Sequence, residues 1–226
     1  MNAKYCLPII KSKKEEVLGV IHANIAEYSY FEVWLDYIDD FDEGLIKELM
    51  ELLQEKLILL FRRQNLEKVK MELDKRIRVI SLLENSESYI DLDVFGQKDE
   101  LEYIKNTQLE VKTIASYHDY ERTPESEKLK EILDTISKYK PTIYKVATMC
   151  TKKIDALRLL QFLLELRTRN LKYIVLGMGE FGMITRIFGT LWGSEMIFAP
   201  KVAIEQSAPG QLTKSQLEAI FKEMKG

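Results

Sequence analysis

Eight short apolar runs, recurring at near-regular intervals along 226 residues, constrain this chain more than any other feature. They read as strands at Tyr5–Ile10, Tyr30–Leu35, Leu57–Arg63, Tyr89–Val94, Val111–His118, Thr142–Met149, Tyr173–Met178 and Glu195–Ala199. Each is rich in Ile, Val, Leu, Tyr or Phe, the profile of a buried strand. Successive starts lie roughly 20 to 32 residues apart, the length of a strand, a crossover helix and two loops. The stretches between are amphipathic. Glu43–Gln54 sets Leu45, Ile46, Leu49, Met50, Leu52 and Leu53 among charges, and Ile154–Arg167 places Leu157, Leu160, Leu164 and Leu166 at helical spacing. Over Asn65–Glu84 the residues Leu66, Val69, Leu73, Ile77 and Ile80 recur at intervals of three and four, which predicts a helix there. Eight βα repeats in a chain of this length predict a closed, parallel (β/α)8 TIM barrel rather than an open doubly wound sheet. A dinucleotide-binding sheet would carry GxGxxG after its first strand, and none follows Ile10. No Pro/Ser/Gly-rich linker divides the chain, so residues 1–226 are read as one barrel domain.

The bulk properties exclude several classes of function. A net charge of −3 and a pI of about 5.7 leave no electrostatic footprint for nucleic acid. The basic stretches Lys11–Lys14 and Lys68–Arg78 read as solvated helix surface. Cys6 and Cys150 belong to no CxxC or Cys/His cluster, which argues against a disulfide framework or a zinc site and fits a reducing cytoplasm. The residues through Ile10 lack a signal-peptide layout, and runs such as Leu57–Phe61 are too short to span a bilayer. A cytoplasmic protein with no metal and no membrane partner is expected.

In a parallel barrel, reactive groups belong at the C-terminal ends of strands or in the loops that follow. Glu32, Asp36, Arg62, Arg63, Asp91, Asp93, Ser116, His118, Asp119 and Lys145 all sit late in their strands or just beyond them. Alternation groups Lys145 with Ile143, Ala147 and Met149 on one face. Desolvation of a lone lysine in an apolar run pushes its pKa down, and a neutral amine attacks a ketone to form an imine. The plainer reading is a strand-end lysine that snorkels to water. His118 ends the fifth strand, and an imidazole that titrates near neutrality is the usual proton shuttle. The other histidine, His22, falls in an amphipathic helix and reads as structural or exposed. Gly177-Met-Gly-Glu-Phe-Gly182 spells GxGxxG but follows the seventh strand, with no acid about 20 positions later. It suits close backbone approach to a small anion, with Arg186 as a bidentate fork for a carboxylate; turn glycines with a structural arginine is the alternative. Glu205–Gln211 has the small and amide residues of a mobile lid, or simply of a loop.

Taken in order, these motifs resemble the type I 3-dehydroquinate dehydratases. The resemblance rests on Ser116-Tyr-His-Asp-Tyr120 with Thr123-Pro124, Tyr144-Lys-Val-Ala147 with Asp155, Met178-Gly179 with Gly182, Thr185-Arg186-Ile187 with Gly193-Ser194, and Ser207-Ala-Pro-Gly-Gln211. It implies a lyase of the shikimate pathway, hence of chorismate and aromatic amino acid biosynthesis, acting on 3-dehydroquinate. Lys145 would form a Schiff base with the C3 ketone, and His118 would take the C2 proton and then protonate the leaving C1 hydroxyl. Glu67 would orient the histidine. Arg186, Ser207 and Gln211 would hold the carboxylate and a nearby hydroxyl, and Glu32 and Arg63 would touch the ring hydroxyls. No cofactor is called for, because the lysine is the electron sink. A homodimer is implied.

Two positions depart from the family pattern. Trp34 stands where a Glu-x-Arg arginine is usual, and Lys68-Val69 replaces a Gly-Gly pair. Glu32 and Trp34 share one face, as do Phe61 and Arg63, while parity aims Arg62 away from the barrel interior. Ring-hydroxyl recognition is therefore expected to weaken while the covalent chemistry survives. Two further readings compete. Another Schiff-base aldolase or lyase would share Lys145 without explaining Arg186 and Ser207–Gln211. A barrel that has lost its activity would not need both Lys145 and His118.

Overall fold

The computed structural model describes residues 3–225. Its strands are β1 (Tyr5–Ile9), β2 (Tyr30–Trp34), β3 (Leu57–Leu60), β4 (Tyr89–Asp93), β5 (Lys112–Asp119), β6 (Ile143–Met149), β7 (Tyr173–Met178) and β8 (Ile197–Phe198). Between and after them run α1 (Lys14–Asn24), α2 (Glu43–Leu53), α3 (Leu73–Leu82), α4 (Lys98–Thr107), α5 (Ser126–Ser137), α6 (Lys153–Thr168), α7 (Met183–Leu191) and α8 (Lys214–Lys225). Neighbouring strands pair in parallel in chain order, and β8 returns to pair with β1. Across the remaining seam the Glu195 N–H donates to the Tyr173 carbonyl at 2.8 Å, which nearly closes an eight-stranded barrel. The expected (β/α)8 architecture is thus present.

Strand alternation builds two cores. Leu7, Ile9, Phe31, Val33, Leu57, Leu59, Phe61, Ile90, Leu92, Val146 and Val175 face outward against the helices. Cys6, Ile58, Tyr89, Ile114, Ile143, Ile174, Met196 and Phe198 face inward and plug the barrel. Continuing inward along the same strands, the next positions are polar and buried: Glu32, Arg62, Asp91, Asp93, Ser116, His118 and Lys145. A barrel interior is a packed core, so these groups are drawn into one another's reach near its C-terminal mouth.

The helix expected over Asn65–Glu84 forms only from Leu73. Upstream, Gln64–Leu66 make a single 3-10 turn in which Asn65 and Leu66 have φ of 54° and 57°. The backbone N–H groups of Lys70 and Met71 donate to the buried Asp36 carboxylate, at 2.9 and 2.7 Å, instead of joining a helical ladder. Asp36 therefore ties the β3–α3 loop across the barrel rim, and this capture overrides the three-and-four periodicity. His22 lies exposed on α1.

Candidate active site

Lys145 lies on the inward face of β6, between Ile143 below and Ala147 above. It is 4 % exposed, so its amine has to find partners inside. Nζ donates to Asp91 Oδ2 at 2.6 Å and to Glu32 Oε1 at 3.3 Å, and it lies 4.3 Å from the centre of the Phe198 ring. Burial alone would lower its pKa, but the Asp91 and Glu32 charges outweigh burial and raise it. The expected depression is thereby corrected: the resting group is an ammonium held by two carboxylates. Asp91 has no exposed surface and also accepts from Arg62 Nη1 at 3.2 Å and Ser116 Oγ at 2.6 Å. Although burial opposes ionisation, Lys145 and Arg62 hold the Asp91 carboxyl far below the usual range.

His118 lies on the adjacent strand, with Ser116 and Ala147 as the register partners of Lys145 and His118 respectively. Its Nδ1 is 3.0 Å from Asp93 Oδ2, which also accepts from the His118 backbone N–H at 3.1 Å. A carboxylate only accepts, so Nδ1 carries the proton and Nε2 keeps its lone pair. Burial and the nearby Arg62 lower the imidazole pKa to about 4, against the opposing pull of Asp93. His118 is therefore a neutral base at pH 7.

Two expected assignments are corrected by this geometry. Glu67 does not hydrogen-bond the histidine; it is exposed and pairs with Arg63 Nε at 3.5 Å, while Asp93 takes the orienting position. Arg63 does not enter the barrel. Its Nη1 donates to the Asp36 carbonyl and carboxylate at 2.9 and 3.1 Å, and its guanidinium lies 4.0 Å from the centre of the Tyr37 ring. Arg62, read from parity as pointing away, is the inward residue: Ile58 faces in, so Leu60 and Arg62 follow.

Arg186, on α7, is 3 % exposed, and its single side-chain hydrogen bond among the described residues is a long 3.5 Å contact from Nη2 to the Pro209 carbonyl. Its Nε and Nη1 are buried with no acceptor, and burial lowers the guanidinium pKa to about 10. A buried cation without a carboxylate partner is costly, and an anion placed here would offset that cost. Ser207 and Gln211 adjoin it and brace each other: the Ser207 N–H donates to Gln211 Oε1, and Gln211 Nε2 donates to Ser207 Oγ, both at 2.9 Å. The glycines bring this loop close. Gly182 presses on Gly177, where an added Cβ would fall 2.4 Å from the Gly177 carbonyl carbon, and Gly210 (φ 77°) lies against Gly179. Their role is backbone-to-backbone packing under the loop.

Lys145, His118, Arg186, Glu32, Ser207 and Gln211 all line one cavity, together with Arg62, Trp34, Tyr120, Met178 and Phe198. Trp34 Nε1 donates to Glu32 Oε2 at 2.8 Å, so the residue in place of the family arginine fixes the carboxylate that faces Lys145. The space left between these side chains is about 30 Å³, room for about one water. Among the described residues no group of three or more His, Cys, Asp or Glu is placed to hold a metal, and no helix is long and apolar enough to cross a membrane.

A parallel barrel whose C-terminal mouth joins a buried lysine, a neutral histidine and an unpaired arginine defines a class: barrel enzymes that act on a small molecule. Comparison with known proteins narrows it. A family model described as type I 3-dehydroquinase matches residues 5–226. The chain belongs to the type I 3-dehydroquinate dehydratase family, which are hydro-lyases. It is 28% identical to a 3-dehydroquinate dehydratase of Alkaliphilus oremlandii, over 97% of this chain and 91% of that one. Over 66% of this chain and 67% of the relative it is 34% identical to one of Methanococcus maripaludis. In fold it is similar to the crystal structure of the Geobacillus kaustophilus dehydratase (TM-score 0.83, 20% identity, covering 100% and 92%). A Clostridium difficile type I dehydratase, solved with covalent modified comenic acid, gives a TM-score of 0.82 at 24% identity, covering 98% and 92%.

Proposed function

We propose that this chain dehydrates 3-dehydroquinate to 3-dehydroshikimate through a Schiff base on Lys145, as a step of the shikimate pathway, with residues 1–226 acting as one catalytic unit. Lys145 Nζ first passes its extra proton to Asp91, its 2.6 Å neighbour, and the neutral amine attacks the C3 ketone; Asp91 then returns the proton to the departing carbinolamine hydroxyl. Loss of water from the carbinolamine gives an iminium, which acidifies the C2–H. His118 Nε2, neutral because its pKa is about 4, takes that proton and leaves an enamine. The enamine expels the C1 hydroxyl, which departs as water with the proton from His118. Hydrolysis of the imine frees 3-dehydroshikimate and the lysine, for a net loss of one water. Arg186, with Ser207 and Gln211, binds the C1 carboxylate; Glu32 and Arg62 face the ring hydroxyls, and Asp93 holds the imidazole.

The observation that carries this reading is the company of Lys145: a base on the next strand and, in the same cavity wall, a buried arginine with two unsatisfied nitrogens. The test is borohydride reduction with 3-dehydroquinate present, followed by peptide mapping. A reduced adduct on Lys145, together with growth of the product's enone absorbance, is expected. An unmodified lysine overturns the proposal.

A homodimer and a cytoplasmic location complete the reading. Ile154, Leu157 and Leu164 on α6, with Phe181 and Ile184 at the start of α7, expose apolar side chains on adjoining helices, a face suited to a second copy. Leu157→Asp should convert a dimer to a monomer by light scattering; a wild-type monomer would refute the face. Cys6 and Cys150 are unpaired, in keeping with a reducing compartment.

A further inference from the structure

A second cavity of about 570 Å³ opens beside His118, between the loops that follow β3 and β4. That size is typical of a small-molecule site. Leu66 and Val69 enter its wall from one loop and Phe95 from the other, and Tyr117 of β5 meets Phe95 edge to face at 5.7 Å. Lys68 brings positive charge to the same wall, whereas the Arg76 guanidinium there is held by the buried Glu100 at 2.6 Å and by the Met71 carbonyl. The acids there are already engaged, Glu67 by Arg63 and Asp93 by His118, whereas Lys68 has no ion-pair partner among the described residues.

Three features ask for an occupant. Leu66 and Phe95 are 48% and 58% exposed although both line a concavity. Leu66 also holds φ 57°, following Asn65 at 54°, and a left-handed conformation costs a side-chain-bearing residue about 1–2 kcal/mol. That strain leaves about half of an apolar side chain facing the cavity. Finally, Gln97 is 4 % exposed, and its Oε1 accepts from the Asp93 N–H at 3.0 Å. The contact fixes the carboxamide and leaves Nε2 buried without an acceptor.

We propose that this cavity is a second binding site, for a planar aromatic carboxylate. The ring packs against Phe95, Tyr117, Leu66 and Val69. The carboxylate meets Lys68, and an acceptor on the ligand satisfies Gln97 Nε2. His118, Arg62 and the catalytic cavity share this wall, so an occupant alters turnover without taking the substrate's place.

The probe is 4-hydroxybenzoate, titrated into the full chain and followed by amide chemical shifts. Saturable shifts centred on residues 66–69 and 95–97 are expected, with mixed rather than competitive inhibition. Phe95→Ala and Lys68→Glu should each weaken binding at least about tenfold and leave basal turnover unchanged, and the uncharged 4-hydroxybenzamide should bind at least about tenfold less tightly. Shifts confined to residues 207–211, no saturation, equal binding of the amide, or indifference to both substitutions would overturn the site.

Discussion

If Lys145 rests as an ammonium, replacing Asp91 with asparagine has a large and specific cost. The substitution keeps shape but removes the charge that accepts from Lys145 Nζ at 2.6 Å and Arg62 Nη1 at 3.2 Å. Whichever way the carboxamide turns, its NH2 must face Lys145 or the Arg62–Ser116 side. Removing one partner of a buried pair typically costs about 3–5 kcal/mol, because the other charge is stranded. For a chain of this length that lowers Tm by roughly 10 °C. Arg62 shares the loss, so the lysine's part is isolated by a double-mutant cycle of Asp91→Asn with Lys145→Met, read by urea unfolding at pH 7. A charged lysine gives a coupling of at least about 2 kcal/mol. A neutral lysine strands nothing when Asp91 is neutralised, and a coupling below about 0.5 kcal/mol would refute the reasoning.

The remaining predictions separate roles within the same cavity. Arg186→Met should raise KM for 3-dehydroquinate at least about tenfold, the value of one charge-assisted hydrogen bond, yet leave the fold as stable or more so, because an unpaired buried cation is removed; matched urea and steady-state data check the split. His118 has its folded pKa lowered to about 4 from 6.5, so the unfolded chain binds its proton first and stability falls as pH drops through that window. The loss from pH 7 to pH 5 is about 2 kcal/mol, and it should vanish in His118→Asn. Gly182→Ala drives a Cβ to 2.4 Å from the Gly177 carbonyl carbon and should cost about 1–3 kcal/mol in chemical unfolding, with a weaker grip of the β8–α8 loop.

What the sequence made legible follows the physics of parallel strands. Spacing of apolar runs located all eight strands, and alternation grouped Lys145 with Ile143 and Ala147 because a single charge interrupts that apolar face. The run Leu57-Ile-Leu-Leu-Phe61 offers no such phase. It is apolar on both faces, as doubly covered strands are, so Arg62 and Arg63 could not be told apart until Ile58 was seen to face the barrel. Glu67 came from the resemblance alone, and the β3–α3 segment, whose Lys70 and Met71 N–H groups Asp36 takes, leaves it exposed beside Arg63. The ion pairs of Lys145 were invisible for a different reason. Asp91 and Glu32 stand 54 and 113 positions away in the chain, and only the strand register brings them together.

The barrel is not equally strong around its circumference. β8 contributes two residues of ladder to β1, and among the described residues a single backbone bond, Glu195 to Tyr173, stitches its approach to β7. Phe198, which caps the Lys145 amine, and the loop carrying Ser207 and Gln211 both hang from this thin seam. Amide protons of residues 195–199 should therefore exchange sooner than those of β4–β6, and the staves that anchor the lysine and histidine can stay rigid while the one bearing Phe198 breathes.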